Sequence, residues 1–149
     1  MPITTTAKNT ILNGLVGRAN TFGNSVYVGL SSTDPSTTVT EPRFGGYARV
    51  LIGTYQSSGT HKFGDPENGV IKNDDFIYFN ESTGAWGTSS AVADERKYFV
   101  LYTAATGGTL IGYGLLEAGG TPTPITVSTE KTVVMFRPNT LVISIPDDV

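Results

Sequence analysis

Apolar residues fall into one stretch with helical spacing, followed by many short stretches that alternate or run unbroken. Ile11, Leu12, Leu15 and Val16 recur at the spacing of a single helix face. Thr4, Thr5 and Thr6 supply hydroxyls for an N-cap, and Gly17 or Gly23 can end the helix. A helix is therefore predicted over residues 5–21, with Gly14 costing it about 1 kcal/mol relative to alanine. Beyond it the period changes to two. In SVYVGLSS, residues 25–32, Val26, Val28 and Leu30 share one side of a strand. In YARVLIGTY, residues 47–55, Tyr47, Arg49 and Leu51 face one way and Ala48, Val50 and Ile52 the other. Phe76 to Phe79 form an unbroken aromatic-aliphatic run, as expected of a strand buried on both faces. KYFVLYTA, TLIGYGLLE, PITV, KTVVMFR and NTLVISIP follow at short intervals as further strands.

The punctuation between these runs is polar and rich in glycine and proline. Residues 33–46 and 57–69 read as long loops, ATGG at 105–108 as a hairpin, and GGTPTP at 119–124 as a longer connection. The densest signal is EPRFGGYARVLIG, residues 41–53. Pro42 fixes φ, and Gly45-Gly46 can adopt the positive φ that a tight turn into the next strand requires. Arg49 is expected half-buried, its stem on apolar surface and its head against a neighbouring strand or subunit. Short strands at this spacing after one N-terminal helix predict an antiparallel β-sandwich or barrel. With no linker or internal repeat, residues 1–149 read as one domain, residues 1–23 forming a helix and arm packed on it.

Composition narrows the function. A net charge of −3 and a pI of about 5.0 argue against nucleic-acid binding, which needs a basic stripe. Charged residues are only 15% of the 149, below the usual quarter. Thr, Ser, Gly and Asn supply much of the polarity, which suits a β-rich protein with many turns or one whose surface is partly covered by partners. With no cysteine, disulfides and zinc-thiolate sites are excluded. No signal peptide is evident at the N-terminus, and no apolar run approaches the ~20 residues that span a bilayer. A soluble protein without membrane contact is expected.

Candidate chemistry is sparse. His61, the one histidine, lies in a glycine-flanked polar loop with no nucleophile elbow near it, so a solvated loop histidine is expected. Asp65, Glu67, Asp74 and Asp75 could offer oxygen ligands to calcium, but without the spacing of an EF-hand. DERK at 94–97 reads as a solvated stretch or, more sharply, as an intersubunit ion-pair site. Trp86, Tyr98, Phe99, Tyr102 and Tyr113 fit a core or subunit contact better than a sugar platform. No cofactor, metal or enzymatic activity is expected.

Taken in order, several blocks resemble one family. VYVGLSSTDP at 26–35, EP...GGYARV at 41–50, WGT at 86–88, YFVLYTAATGGTLIGYGLL at 98–116 and the closing TLVISI are similar to small virion structural proteins of tailed bacteriophages. Members are commonly labelled tail-fibre or head-surface proteins. The resemblance implies a non-enzymatic virion protein made in the host cytoplasm, bound to major capsid protein or tail components. It also implies a homo-oligomer, with a trimer as the first form to test. Lacking a fibrous repeat or heptads, the chain is read first as a capsid decoration subunit and second as a tail-fibre or baseplate accessory with receptor- or glycan-binding loops. The candidate interface residues are Tyr47, Arg49, Trp86, Arg96, Tyr98 and Tyr113.

Overall fold

The computed structural model describes residues 3–145. Helix α1 runs Thr5–Leu15, and Thr4 caps it by accepting the Ala7 N–H on its hydroxyl. It ends earlier than its periodicity suggested. Gly17 takes a φ of +77°, and Gly17 and Arg18 return their N–H groups to the carbonyls of Gly14 and Asn13. That is a Schellman closure, which satisfies the last carbonyls and stops the helix. A side chain at residue 17 would also collide with the Gly53 carbonyl at 2.4 Å, so the helix end rests directly on strand backbone.

Strands β1 (Ser25–Ser31), β2 (Val50–Thr54), β5 (Tyr98–Tyr102) and β6 (Leu110–Leu115) form one antiparallel sheet in the order β2-β1-β5-β6. Three two-stranded ribbons complete the described residues. They pair β3 (Val70–Lys72) with β10 (Val142–Ser144), β4 (Ile77–Tyr78) with β9 (Met135–Phe136), and β7 (Glu117–Ala118) with β8 (Thr121–Pro122). The fold is mainly β, with one helix near the N-terminus, and the main sheet stays open between β2 and β6 rather than closing as a barrel.

Several predicted strands are shorter or placed differently. The 47–55 run pairs only from Val50 to Thr54; ahead of it the Leu30 N–H of β1 is met by the Tyr47 hydroxyl rather than by strand backbone. PITV contributes a single bridge, Arg96 to Ile125, and KTVVMFR only the two residues of β9. GGTPTP is not a long connection. Gly119 and Gly120, with φ of +61° and +82°, turn the chain tightly into β8. NTLVISIP pairs over Val142–Ser144, and its Pro146 lies outside the described residues. Phe76 to Phe79 is not buried on both faces. Ile77 and Phe79 are interior, whereas Phe76 and Tyr78 are exposed and stacked at 5.5 Å.

The register explains the core. Val28 lies opposite Leu101, and Leu30 opposite Phe99, so these four share one face of the sheet. Leu12 of α1 and Val16, its C-cap, join them, with Ile52, Phe63, Ile71, Ile77, Phe79 and Trp86, in one buried cluster. At ~25 cal/mol per Å² of apolar surface removed from water, this cluster is the main stabilising term. Tyr27, Tyr98, Tyr102 and Tyr113 belong to the opposite face, by the alternation of the same strands.

Candidate functional site

The block 41–49 builds a polar clamp on that opposite face. Tyr47 stands before β2 begins, and its hydroxyl accepts the Leu30 N–H at 2.9 Å, in place of the missing strand neighbour. It donates in turn to Glu41 Oε1 at 2.6 Å. Arg49 meets the same carboxylate through Nε at 3.0 Å and Nη2 at 2.7 Å. Its Nη1 donates to the carbonyls of Ala104 and Gly107, both at 2.8 Å, on the turn between β5 and β6. The guanidinium lies 3.6 Å over the Tyr102 ring, a cation–π contact. Burial, reinforced by the Glu41 carboxylate, pushes the Tyr47 phenol far above its ordinary range, so it stays a neutral donor. Burial alone would lower the Arg49 pKa, but the bonds to Glu41 outweigh it and raise it. The clamp explains why an arginine interrupts an apolar run of sequence: it ties the loop before β2 to the distant hairpin turn.

The turn that enters the clamp is equally constrained. Gly45 and Gly46 have φ of +83° and +76°, and a side chain at 45 would strike the Ala85 carbonyl at 2.6 Å. The Gly45 carbonyl accepts from the Trp86 indole N–H at 3.1 Å. Trp86 meets Tyr47 edge-on at 5.2 Å and Phe79 at 5.8 Å, and none of it is exposed.

Trp86 is therefore a core residue with no surface left for a partner, and the same correction applies to Arg96. Arg96 is fully buried, donating to the Thr40 carbonyl at 2.8 Å and approaching Asp94 and the Trp86 carbonyl at 3.4 Å. Burial pulls its pKa down against the attraction of Asp94. Of the two readings of DERK, the solvated stretch holds for Glu95 and Lys97, which face outward, while Arg96 pairs within the chain with the partly exposed Asp94. Tyr98 is half-buried, whereas Tyr113 is 47% exposed. The aromatic set divides accordingly: Trp86 and Phe99 go to the core, while the three tyrosines lie on the other face.

The candidate polar chemistry is likewise tied into structure. His61 Nε2 lies 3.0 Å from the Thr54 carbonyl. Asp65 pairs with Arg18, and Asp75 with Lys62 at 3.1 Å. Asp65, Glu67 and Asp74 line an open cleft of about 430 Å³. Among the described residues no group of acids and histidine converges as a metal site.

Exposed apolar surface is more informative. Phe76, Tyr78, Val133 and Met135 are all exposed on or beside the β4–β9 ribbon, where Tyr78 lies opposite Met135. Tyr113 and Leu115, 47% and 39% exposed, lie on β6 at the free end of the main sheet. Of these residues the sequence singled out only Tyr113 as an interface candidate; Leu115 alternates with it on the same strand and carried the same signal. Beside Leu115 lies a cleft of about 510 Å³, walled by Phe99, Leu116, Phe136, Leu141 and Val142. No described helix is long and apolar enough to cross a membrane.

The chain is mainly β, and the polar groups of its interior bond to its own backbone and side chains. The comparison with known families identifies it further. The model of the family described as Podophage GP4 fiber I protein gp80 matches residues 2–124, and the chain belongs to that family of phage virion structural proteins. Among curated proteins nothing matches.

Proposed function

We propose that this chain is a non-enzymatic subunit of a phage tail fibre, held by contacts with copies of itself and with other tail proteins. The observation that carries this reading is the fibre-family match over residues 2–124. It reverses the order drawn from sequence, in which capsid decoration came first. The argument for the head was the missing fibrous repeat, and a compact β module can serve as a fibre part without one. The low charge density and the exposed apolar strands support assembly, which draws its free energy from buried apolar area.

The test is co-sedimentation of the purified protein with isolated tails and with empty heads, alongside antibody labelling of whole particles. Binding to tails and labelling at the tail are expected. Saturable binding to heads alone would return the assignment to capsid decoration. The non-enzymatic part has its own test: His61→Ala, Asp65→Ala and Asp75→Ala should leave fibre function intact. Loss of a hydrolytic activity in any of them would overturn it.

A further inference from the structure

The main sheet ends in two edges, and the described residues cover only one of them. Beyond β2, residues 57–62 fold back. Lys62 donates its N–H to the Ile52 carbonyl at 2.9 Å, Thr54 donates its N–H to Thr60 Oγ1 at 3.0 Å, and Ser57 donates to the Thr54 carbonyl at 3.0 Å. Beyond β6 there is no strand among the described residues. Leu116 bonds inward to the Lys97 carbonyl at 2.8 Å, so antiparallel alternation turns the N–H and C=O groups of Leu115 and Tyr113 outward. These are the two β6 residues whose side chains are also exposed. Natural edges are blunted by charges, proline, bulges or a covering segment. Residues 103–116 contain neither a charge nor a proline, and the one irregularity, near Tyr102 and Leu110, leaves Gly112 to Leu115 regular.

We infer that the bare edge of β6 pairs with β6 of a second copy, antiparallel about a two-fold axis beside Gly114. This rests on the self-assembly part of the reading above and names its surface. In that register Tyr113 lies opposite Leu115 of the second copy, and Leu115 opposite the other Tyr113. Each such pair exchanges two backbone hydrogen bonds, and the exposed aromatic covers the exposed aliphatic across strands. The strand is its own complement, because two apolar residues spaced by one glycine read the same when reversed. With no charge over 103–116, the edge offers nothing to select a charged partner. The result is one continuous eight-stranded sheet. Such an isologous contact closes at two copies, in place of the trimer expected from sequence. Edge pairing alone covers less than the ~800 Å² per partner of a standard interface, so a concentration-dependent equilibrium is expected.

The experiment measures solution mass against concentration, with amide hydrogen exchange on the same samples. The wild type should pass from 15.8 kDa to twice that mass as concentration rises. The amides of Tyr113 and Leu115 should gain protection in step. Leu115→Pro removes one outward N–H where proline is tolerated, and should shift the midpoint at least tenfold. Leu115→Lys, which keeps the backbone, should do the same if the proline variant fails to fold. Tyr78→Lys, on the β4–β9 ribbon, should leave the midpoint unchanged. A dimer broken by Tyr78→Lys but not by either Leu115 variant overturns the inference and leaves self-assembly standing. A trimer with freely exchanging Tyr113 and Leu115 amides does the same. A monomer at every concentration overturns both the inference and the self-assembly reading, without touching tail location. Protection of those amides only on adding tails would assign the edge to another virion protein and overturn the inference.

Discussion

The two ends of the main sheet treat the same physical problem in opposite ways. At β2 the outward backbone groups of Ile52 and Thr54 are taken up by Ser57, Thr60 and Lys62, and the His61 ring lies beside the Thr54 carbonyl. At β6 no described strand or loop does this for Tyr113 and Leu115. A protein that seals one edge with a dedicated segment shows that its sequence can provide such a cover. The open edge is the surface proposed above to pair with a second copy; a bare uncharged edge is otherwise an aggregation hazard. What holds the open side in shape is the Arg49 clamp, which fixes the turn between β5 and β6 through Ala104 and Gly107.

The contrast can be broken most forcefully at that clamp. Arg49→Ala strands a mostly buried Glu41 carboxylate and frees the hairpin turn, and should cost about 3 kcal/mol in urea unfolding. Combining it with Glu41→Ala should cost less than the sum of the two single changes, which isolates their coupling. Next is the turn that leads into β2. Gly46→Val places a branched side chain at a φ of +76° and should cost about 2 kcal/mol, read as a lower unfolding midpoint. An unchanged midpoint would show that the turn relaxes.

Smaller effects sharpen the comparison between edges. Thr60→Val removes the hydroxyl that accepts the Thr54 N–H, with an expected loss of about 1 kcal/mol. The Thr54 amide should then exchange faster, so that the sealed edge begins to behave like the open one. Leu115→Lys should change the stability of the single chain by no more than about 0.5 kcal/mol, because the side chain is exposed and the fold does not use its outward amide. The smallest effect is acid dependence at the sealed side. The Lys62 ammonium, helped by the Phe76 amide, holds the Asp75 carboxyl below its ordinary 3.8. Its contribution is therefore present above that value and lost as pH falls through the lower folded one. Asp75→Asn should flatten that limb of an acid titration.

Much of this was legible in the residues. An N-cap among Thr4 to Thr6, Gly45-Gly46 at positive φ, the shared side of Val26, Val28 and Leu30, and the hairpin at 105–108 all follow from local rules. These features depend on a residue's own conformational limits or on the period of its strand. Arg49 was legible as an anomaly, a charge in an apolar run, but not as a clamp. Its partners lie up to 58 positions away in sequence.

Tertiary structure decided the rest. Periodicity carried α1 past Leu15, yet the close packing of Gly17 on Gly53 stops it there. Arg96 and Trp86 looked like surface candidates because charge and aromatic area are common at interfaces. Only the packing of residues 40, 86 and 94 around the guanidinium makes Arg96 an interior group. The phage family can be recognised from the order of its strand blocks, because order is a property of the chain. Which edge of the sheet is sealed and which is open depends on where distant segments come to rest, and no local pattern contains that.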